Sequence, residues 1–192
     1  MLTPLTKRGI KVEKDFIDSN VRYRLIVAGI NELEERGIRD FSLRRAALRA
    51  EVSCAAPYRH FKDKDEFISE IIKYISSKWM LLCNEIEKVF LNDTRRLILE
   101  LAVSNLRFWI ANPNYRSVLM TVSPSASDVL SLFDKPLMDA IERFSNENGA
   151  DPEVRKYTVR ALIYGSLMLT GTTDKRSSLT DYLRRELENE FK

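Results

Sequence analysis

Few of the residues that carry metal, redox or nucleophilic chemistry occur in this chain of 192 residues. It has one histidine and two cysteines, and Cys54 and Cys83 lack the spacing of a metal site. A glycine-rich phosphate loop is also missing. Carboxylates such as Glu85 and Glu87 fit solvated helix faces. We therefore expect two thiols without a metal, no cofactor, and a protein that is not an enzyme.

Long apolar runs are missing as well. No stretch approaches the roughly 20 apolar residues that a membrane-spanning helix needs, and residues 1–16 lack the apolar core of a signal peptide. With six glycines and six prolines, the composition argues against disorder. We expect a folded cytoplasmic protein that does not enter a membrane.

The net charge is small, but its position is informative. The formal charge is +3. Residues 1–66 carry 14 Lys or Arg against 11 Asp or Glu, whereas residues 67–192 carry 17 of each. The whole basic excess therefore lies in the N-terminal third. Because acidic residues dilute it, a surface for a polyanion has to come from the arrangement of the basic side chains.

Apolar residues recur at helical spacing along the chain, and no segment alternates with period two. This pattern predicts an all-α protein of about nine helices, at about 20–36, 43–50, 53–61, 64–90, 94–111, 113–122, 125–148, 152–170 and 178–190. Ser42 is a predicted N-cap, Asp63 and Glu66 form a predicted capping box, and Gly37 is a predicted stop.

Residues 42–61 indicate a DNA-binding motif. They predict two short helices joined by a tight turn, the second opening at Ser53 as its N-cap, which is the pattern of a helix-turn-helix. The second helix of such a motif enters the DNA major groove. Basic residues surround it: Arg44, Arg45, Arg49, Arg59, Lys62 and Lys64.

These residues belong to a longer pattern that resembles the N-terminal domain of TetR/AcrR-family transcriptional regulators. The matching residues are Arg24-Leu25-Ile26-x-Ala28, Glu35-Arg36-Gly37, Phe41-Ser42-Leu43-Arg44, Val52-Ser53 and Tyr58-Arg59-His60-Phe61-x-Asp63-Lys64. The resemblance implies a helix-turn-helix DNA-binding domain at 1–66, with an N-terminal basic arm, and a helical ligand-binding and dimerisation domain at 67–192. It implies a homodimeric repressor that a small-molecule effector releases from a pseudo-palindromic operator in double-stranded DNA.

The resemblance and local chemistry together give a set of candidate DNA contacts. Tyr58, His60 and Lys64 resemble the family's backbone contacts, and Arg59 is the best candidate for a base contact. The full set is Arg44, Arg45, Ser53, Cys54, Ala55, Tyr58, Arg59, His60 and Lys64. The basic residues at 7–14 form either an arm in the minor groove or a mobile tail.

Two departures from the family pattern carry structural predictions. Glu51 stands where the turn usually has a glycine, so a non-glycine residue has to adopt a positive φ, or the turn is reshaped. Gly29 lies inside the first helix, where alanine is commoner, which predicts a close approach of another helix.

The C-terminal part yields two further sets of candidates. If a ligand pocket exists, its expected neighbours are Trp109, Tyr115, Phe133, Phe144, Tyr164 and Met168, although such side chains are more often ordinary core. The last two long helices are expected to form a dimer interface. Its candidate residues are Val159, Leu162, Ile163, Ser166, Leu167, Thr170, Leu179, Tyr182, Leu183 and Leu187.

A second class of function stays open at this point. The tip of the recognition helix is nearly apolar, and Glu51 departs from the usual turn residue. Both features fit a helical ligand carrier or a protein-interaction module whose helix-turn-helix no longer binds DNA. DNA binding with a steep salt dependence would separate the two interpretations.

Overall fold

A computed structural model describes residues 6–113, 115, 126–170 and 176–192, and over these ranges all regular structure is helical. The helices are α1 Thr6–Arg36, α2 Leu43–Arg49, α3 Pro57–His60, α4 Lys64–Val89, α5 Thr94–Ala111, α6 Ala126–Asn148, α7 Pro152–Leu169 and α8 Arg176–Glu190. The all-α prediction is confirmed. The helix expected at 113–122 lies outside the described residues, apart from positions 113 and 115.

Most helix ends fall within two residues of their predicted positions, because local capping chemistry sets them. The hydroxyl of Ser42 accepts from the backbone N–H of Arg45, as predicted for the N-cap of α2. Before α4, the carboxylate of Asp63 accepts from Glu66 N at 2.8 Å. The Glu66 carboxylate in turn accepts from Lys62 N at 2.5 Å, which completes a capping box shifted by one residue.

Helix α1 starts earlier than predicted, at Thr6 instead of about residue 20. The prediction was wrong because it followed the apolar stripe, whereas polar residues can also extend a helix that has already been nucleated. The proposed basic arm therefore has a helical backbone from Thr6 onward. The side chains of Lys7, Arg8, Lys11 and Lys14 lie outside the described part of the chain.

Helix α3 is shorter than predicted, with four residues beginning at Pro57, so the expectation that Ser53 caps it is wrong. Pro57 has no N–H to donate to the carbonyl of Ser53, as the fifth residue of a helix would. That carbonyl accepts instead from Ala56 N at 2.8 Å, in a tighter turn. The recognition segment is thus a turn followed by a single helical turn.

The N-terminal helices pack around α1, which contacts α2, α3 and α4. Their core contains Leu25, Phe41, Phe61 and Phe67. Gly29 is at the crossing of α1 with α4: a Cβ on this residue would lie 2.8 Å from Ile71 Cδ1 and closer still to the Phe67 ring. The predicted close approach of a second helix is confirmed.

Helix α4 continues from this N-terminal group into a second group of helices, α4 to α8, which we call the helical body. There it packs against α5 and α6. Helix α5 is central there, since it also contacts α7 and α8. The indole N–H of Trp79 donates to the carbonyl of Phe133 at 2.8 Å, which joins α4 to α6. One helix thus connects the DNA-binding motif to the core of the helical body.

Two further findings concern the described part of the chain as a whole. Both cysteines are free thiols there, Cys83 buried and Cys54 half-buried. Among the described residues, no helix combines the length and apolarity that crossing a membrane requires.

Candidate DNA-binding site and helical body

The turn between α2 and α3 is a Schellman motif. The N–H of Val52 donates to the carbonyl of Ala47, and the N–H of Glu51 donates to the carbonyl of Leu48, each at 3.0 Å. Glu51 occupies the left-handed position of this motif, with φ at 55°. Of the two alternatives, the family's turn geometry is therefore kept, with a glutamate where glycine fits best.

Arg24 of α1 holds this turn in place. Its Nη2 donates to the carbonyl of Ala50 and, at 3.4 Å, to the carbonyl of Glu51. The same nitrogen lies 3.6 Å from the Glu51 carboxylate. The sequence pattern included Arg24 but suggested no role for it. The structure shows that one α1 side chain braces the strained backbone of the turn.

Arg44 and Arg45, the two predicted DNA contacts at the start of α2, differ in their surroundings. Arg44 is exposed. Arg45 donates from Nε to the buried carboxylate of Glu32 at 2.5 Å and from Nη2 to the carbonyl of Asp40. Its guanidinium therefore fastens α2 to α1, although the Arg45 side chain, like that of Arg44, is exposed.

Arg49 makes a second connection between the same helices. Its two Nη atoms donate to the two carboxylate oxygens of Glu35 at 2.7 and 2.6 Å. These hydrogen bonds from Arg49 lower the pKa of Glu35. Three arginines and two glutamates thus set the position of α2 and of the turn on α1.

The recognition segment presents most of its predicted contact residues to solvent. Ser53, Ala55, Tyr58 and Arg59 are exposed, with Tyr58 at 64% of its full accessible area. Cys54 and His60 are half-buried. A large exposed tyrosine beside an arginine provides a hydrogen-bond donor and a cation at one surface, which suits a phosphate backbone.

Lys64, the first residue of α4, is half-buried and turned partly inward. Its Nζ donates to the carbonyl of Ile38 at 2.6 Å and lies 5.7 Å from the centroid of the Phe41 ring. An ammonium has three N–H groups, so this hydrogen bond leaves capacity for a phosphate oxygen. The lysine therefore combines an internal hydrogen bond with a position near the recognition segment.

The predicted pocket residues separate into three places in the helical body. Trp109, Tyr115 and Phe133 cluster around Phe108, with ring centroids 4.8 Å apart for Trp109 and Phe133 and 6.1 Å apart for Phe108 and Tyr115. Phe144 instead packs against Phe191, on the C-terminal side of the body.

Met168 of α7 is 62% exposed, so it lies outside the aromatic cluster. Tyr164 lies next to this cluster and donates its hydroxyl to Asp134 Oδ2 at 3.0 Å. The six candidates therefore do not form one cluster, because helical spacing alone does not place residues of different helices together.

Asp134, which the sequence pattern did not single out, is a buried carboxylate next to this cluster. Its Oδ2 also accepts from Arg160 Nε at 3.2 Å. Burial raises the pKa of Asp134, while the hydrogen bond from Tyr164 and the charge of Arg160 act in the opposite direction. The side chain links α6 to α7 beside Phe133.

Asn105 of α5 was also missed by the sequence analysis. It is 1% exposed, and its Nδ2 has no hydrogen-bond partner among the described residues. It lies one helical turn before Trp109, on the same face of α5. An unpaired buried amide costs folding free energy, so the group calls for an explanation.

Most residues predicted for the dimer interface are buried inside the single chain. The six buried apolar ones are 7% exposed or less: Val159, Ile163, Leu167, Leu179, Leu183 and Leu187. Thr170 is also buried, whereas Leu162 and Ser166 are half-buried. Side chains enclosed by their own chain cannot cover a partner, so the assignment is corrected for the seven buried residues. Of the predicted residues, Tyr182 of α8 is exposed.

Helix α7 carries a second apolar stripe, which faces solvent. It consists of Val154, Tyr157, Ala161, Gly165 and Met168, spaced three or four residues apart, and we call it the outer stripe. Tyr157 is 75% exposed. Among the described residues, no atom lies within 4 Å of the place where a Cβ on Gly165 would be. The outer stripe is therefore open to another helix.

An exposed recognition segment thus lies on a braced helix-turn-helix that is joined to a helical body. Residues 25–71 match the family model described as bacterial regulatory proteins, tetR family. This N-terminal part of the chain is therefore similar to the DNA-binding domain of tetR-family regulators. No curated protein gives a significant sequence match to the chain.

Solved structures share the fold over most of the chain. A TetR-family protein of Syntrophomonas wolfei is 14% identical, with a TM-score of 0.72 over 90% of this chain and 95% of that one. FadR of Bacillus subtilis, solved with stearoyl-CoA, is 13% identical, with a TM-score of 0.70 over 86% and 96%. NalD, the secondary repressor of the MexAB-OprM efflux pump in Pseudomonas aeruginosa, is 16% identical, with a TM-score of 0.68 over 90% and 96%.

Proposed function

We propose that this protein is a TetR-family transcriptional regulator, and that it acts as a cytoplasmic homodimeric repressor of a pseudo-palindromic operator. Residues 1–66 form its DNA-binding domain, and residues 67–192 form its ligand-binding and dimerisation domain. The outer stripe of α7 is the observation that carries the proposal. Five apolar or small residues in solvent, with a glycine at an open position, are what a partner helix would cover.

The DNA contacts follow from exposure. Arg44, Tyr58 and Arg59 are the proposed leading contacts, because their side chains are exposed around the recognition segment. Arg45 is exposed too and is a further proposed contact, although its guanidinium already donates to Glu32 and to the carbonyl of Asp40. Lys64 and His60 are proposed backbone contacts from half-buried positions. Ser53, Cys54 and Ala55 contribute a small surface that allows close approach to the major groove.

A small molecule bound in the body is the proposed signal for release. Asn105 supports this, because its unpaired amide can donate to a ligand acceptor from within the aromatic core. The relative FadR was solved with stearoyl-CoA, a small-molecule ligand. A ligand that prefers a conformer with wrongly spaced DNA-binding domains lowers operator affinity by its differential affinity for the two conformers.

The test begins with selection of bound fragments from random duplex DNA. We expect a site with two half-sites about one helical turn (34–36 Å) or more apart. The slope of log affinity against log salt should be about 0.9 per neutralised phosphate. No enrichment, with only weak salt-sensitive binding, would favour the carrier or interaction-module interpretation instead.

The dimer is tested by Tyr157→Asp, which places a charge in the outer stripe. Sedimentation should show a dimer for the wild type and a monomer for the variant. Operator affinity should fall by about 100-fold or more, because the two half-sites are no longer bound together. Asn146→Asp adds the same charge at an exposed position of α6 and should change neither result. A dimeric Tyr157→Asp protein would place the interface elsewhere.

A further inference from the structure

A cleft lies where the DNA-binding motif meets the helical body. It has a volume of about 350 Å³, and we call it the junction cleft. Its lining residues are Tyr23, Val27, Ile30 and Asn31 of α1, Tyr74 of α4, Ala111 at the end of α5, and Asn112, Pro113 and Tyr115 beyond it. It is distinct from the core around Asn105, since neither Asn105 nor Trp109 lines it.

Aromatic rings form walls of the junction cleft. Tyr23 and Tyr74 meet edge to face, with their ring centroids 5.9 Å apart. Burial, followed by a hydrogen bond with Tyr23, raises the pKa of Tyr74 to about 12, and burial raises the pKa of Tyr115. These hydroxyls therefore stay neutral at physiological pH. They offer hydrogen bonds without charge.

The absence of charged side chains from the lining indicates which class of ligand the cleft can bind. None of the nine lining residues is acidic or basic. A charged ligand would lose water without gaining a counter-ion there, which costs far more than burying a neutral group. Flat aromatic walls favour a flat aromatic ring, and tyrosine and asparagine side chains provide hydrogen-bond donors and acceptors.

We propose that the junction cleft is a small-molecule site for an uncharged, planar aromatic compound with a hydrogen-bonding substituent. Its occupant would contact α1 and the end of α5 at the same time. An adjoining cavity of about 340 Å³ shares Tyr23, Val27 and Asn31 and extends to Glu51 in the helix-turn-helix turn. Binding therefore couples to the position of the DNA-binding motif, and this coupling, though not the site itself, rests on the proposed function.

The experiment titrates 4-hydroxybenzamide into the full-length protein without DNA, followed by ligand-observed NMR and by the tyrosine ring signals. We expect saturable binding with a Kd of about 1 mM or tighter, as befits a ligand of that size. Ala111→Leu fills the cleft from an exposed position and should weaken binding by about tenfold or more. Ser77→Leu adds the same side chain on α4 outside the lining and should leave binding unchanged.

A second variant is needed because Ala111→Leu could weaken binding by disturbing the fold. Tyr74→Phe removes only a hydroxyl and should weaken binding several-fold. Absence of saturable binding at about 10 mM probe, or equal affinity in the wild type, Ala111→Leu and Tyr74→Phe, would overturn the site. Binding at the cleft that leaves affinity for the selected operator unchanged would overturn the coupling alone. Failure to find any operator would count against the proposed function and not against the site.

Discussion

Replacing Glu51, in the turn between α2 and α3, by glycine should stabilise this protein. Its φ of 55° lies in the left-handed region, which costs an L-residue with a Cβ about 1–2 kcal/mol. Glycine removes this cost but loses more backbone entropy on folding, about 0.5–1 kcal/mol. The ion pair with Arg24 is lost too, but it is exposed and contributes little.

The expected balance is a gain of about 0.5–1 kcal/mol in the free energy of unfolding, which raises Tm by about 1–4 °C for a chain of this size. Glu51→Val should act in the opposite direction, because a β-branched side chain tolerates the left-handed region worst. Glu51→Asn should fall between them, since asparagine is enriched there.

The assay is denaturant unfolding at fixed protein concentration, because any dimerisation makes stability depend on concentration. Glu34→Gly is the matched control, an exposed glutamate inside helix α1. Glycine at that helical position should cost about 1 kcal/mol. A Glu51→Gly protein less stable than the wild type, or equal stability of the valine and glycine variants, would refute the strain argument.

Three further changes test the packing of the body and of the DNA-binding motif. Gly29→Ala should lower stability by about 1–2 kcal/mol, since overpacking against buried side chains outweighs the gain in helix propensity; a more stable variant would contradict the close approach. Asn105→Leu should raise stability by about 1–3 kcal/mol by removing an unpaired buried amide, while abolishing the response to a body ligand; lower stability would mean that the amide is hydrogen-bonded. Glu100 accepts two hydrogen bonds from Arg184, at 2.9 and 3.0 Å, and these lower the pKa of Glu100. Its ionised carboxylate therefore stabilises the fold at any pH above about 4.3, the pKa of glutamate in unfolded chains. This contribution to the free energy of unfolding is lost as the pH falls through the lower pKa of the folded state. The Tm difference between the wild type and Glu100→Gln should therefore shrink from pH 7 toward pH 3, and a constant difference would exclude this linkage.

The ends of the helices were predictable because capping is local. Asp63 and Glu66 contact backbone groups within four residues of themselves, so their spacing is enough to predict the start of α4. The close approach at Gly29 was also predictable, since it depends on one residue in a recognisable pattern. At Glu51 the pattern left two alternatives, a positive φ or a reshaped turn, and the structure decided for the positive φ. Helix α3 shows the limit even of local inference, because the missing N–H of Pro57 shortened it.

Periodicity, capping and backbone preference act over a few residues, so the sequence alone was enough to predict the helical class and the helix-turn-helix motif. The tertiary structure was needed to decide which apolar stripe of α7 faces the core. The stripe that contains Val159 and the stripe that contains Tyr157 have the same helical spacing, so spacing alone does not distinguish them. The tertiary structure likewise decided that Arg45 braces α2, and that Asn105 and Asp134 are buried. These outcomes depend on groups contributed by other helices, and spacing along one helix does not specify its neighbours.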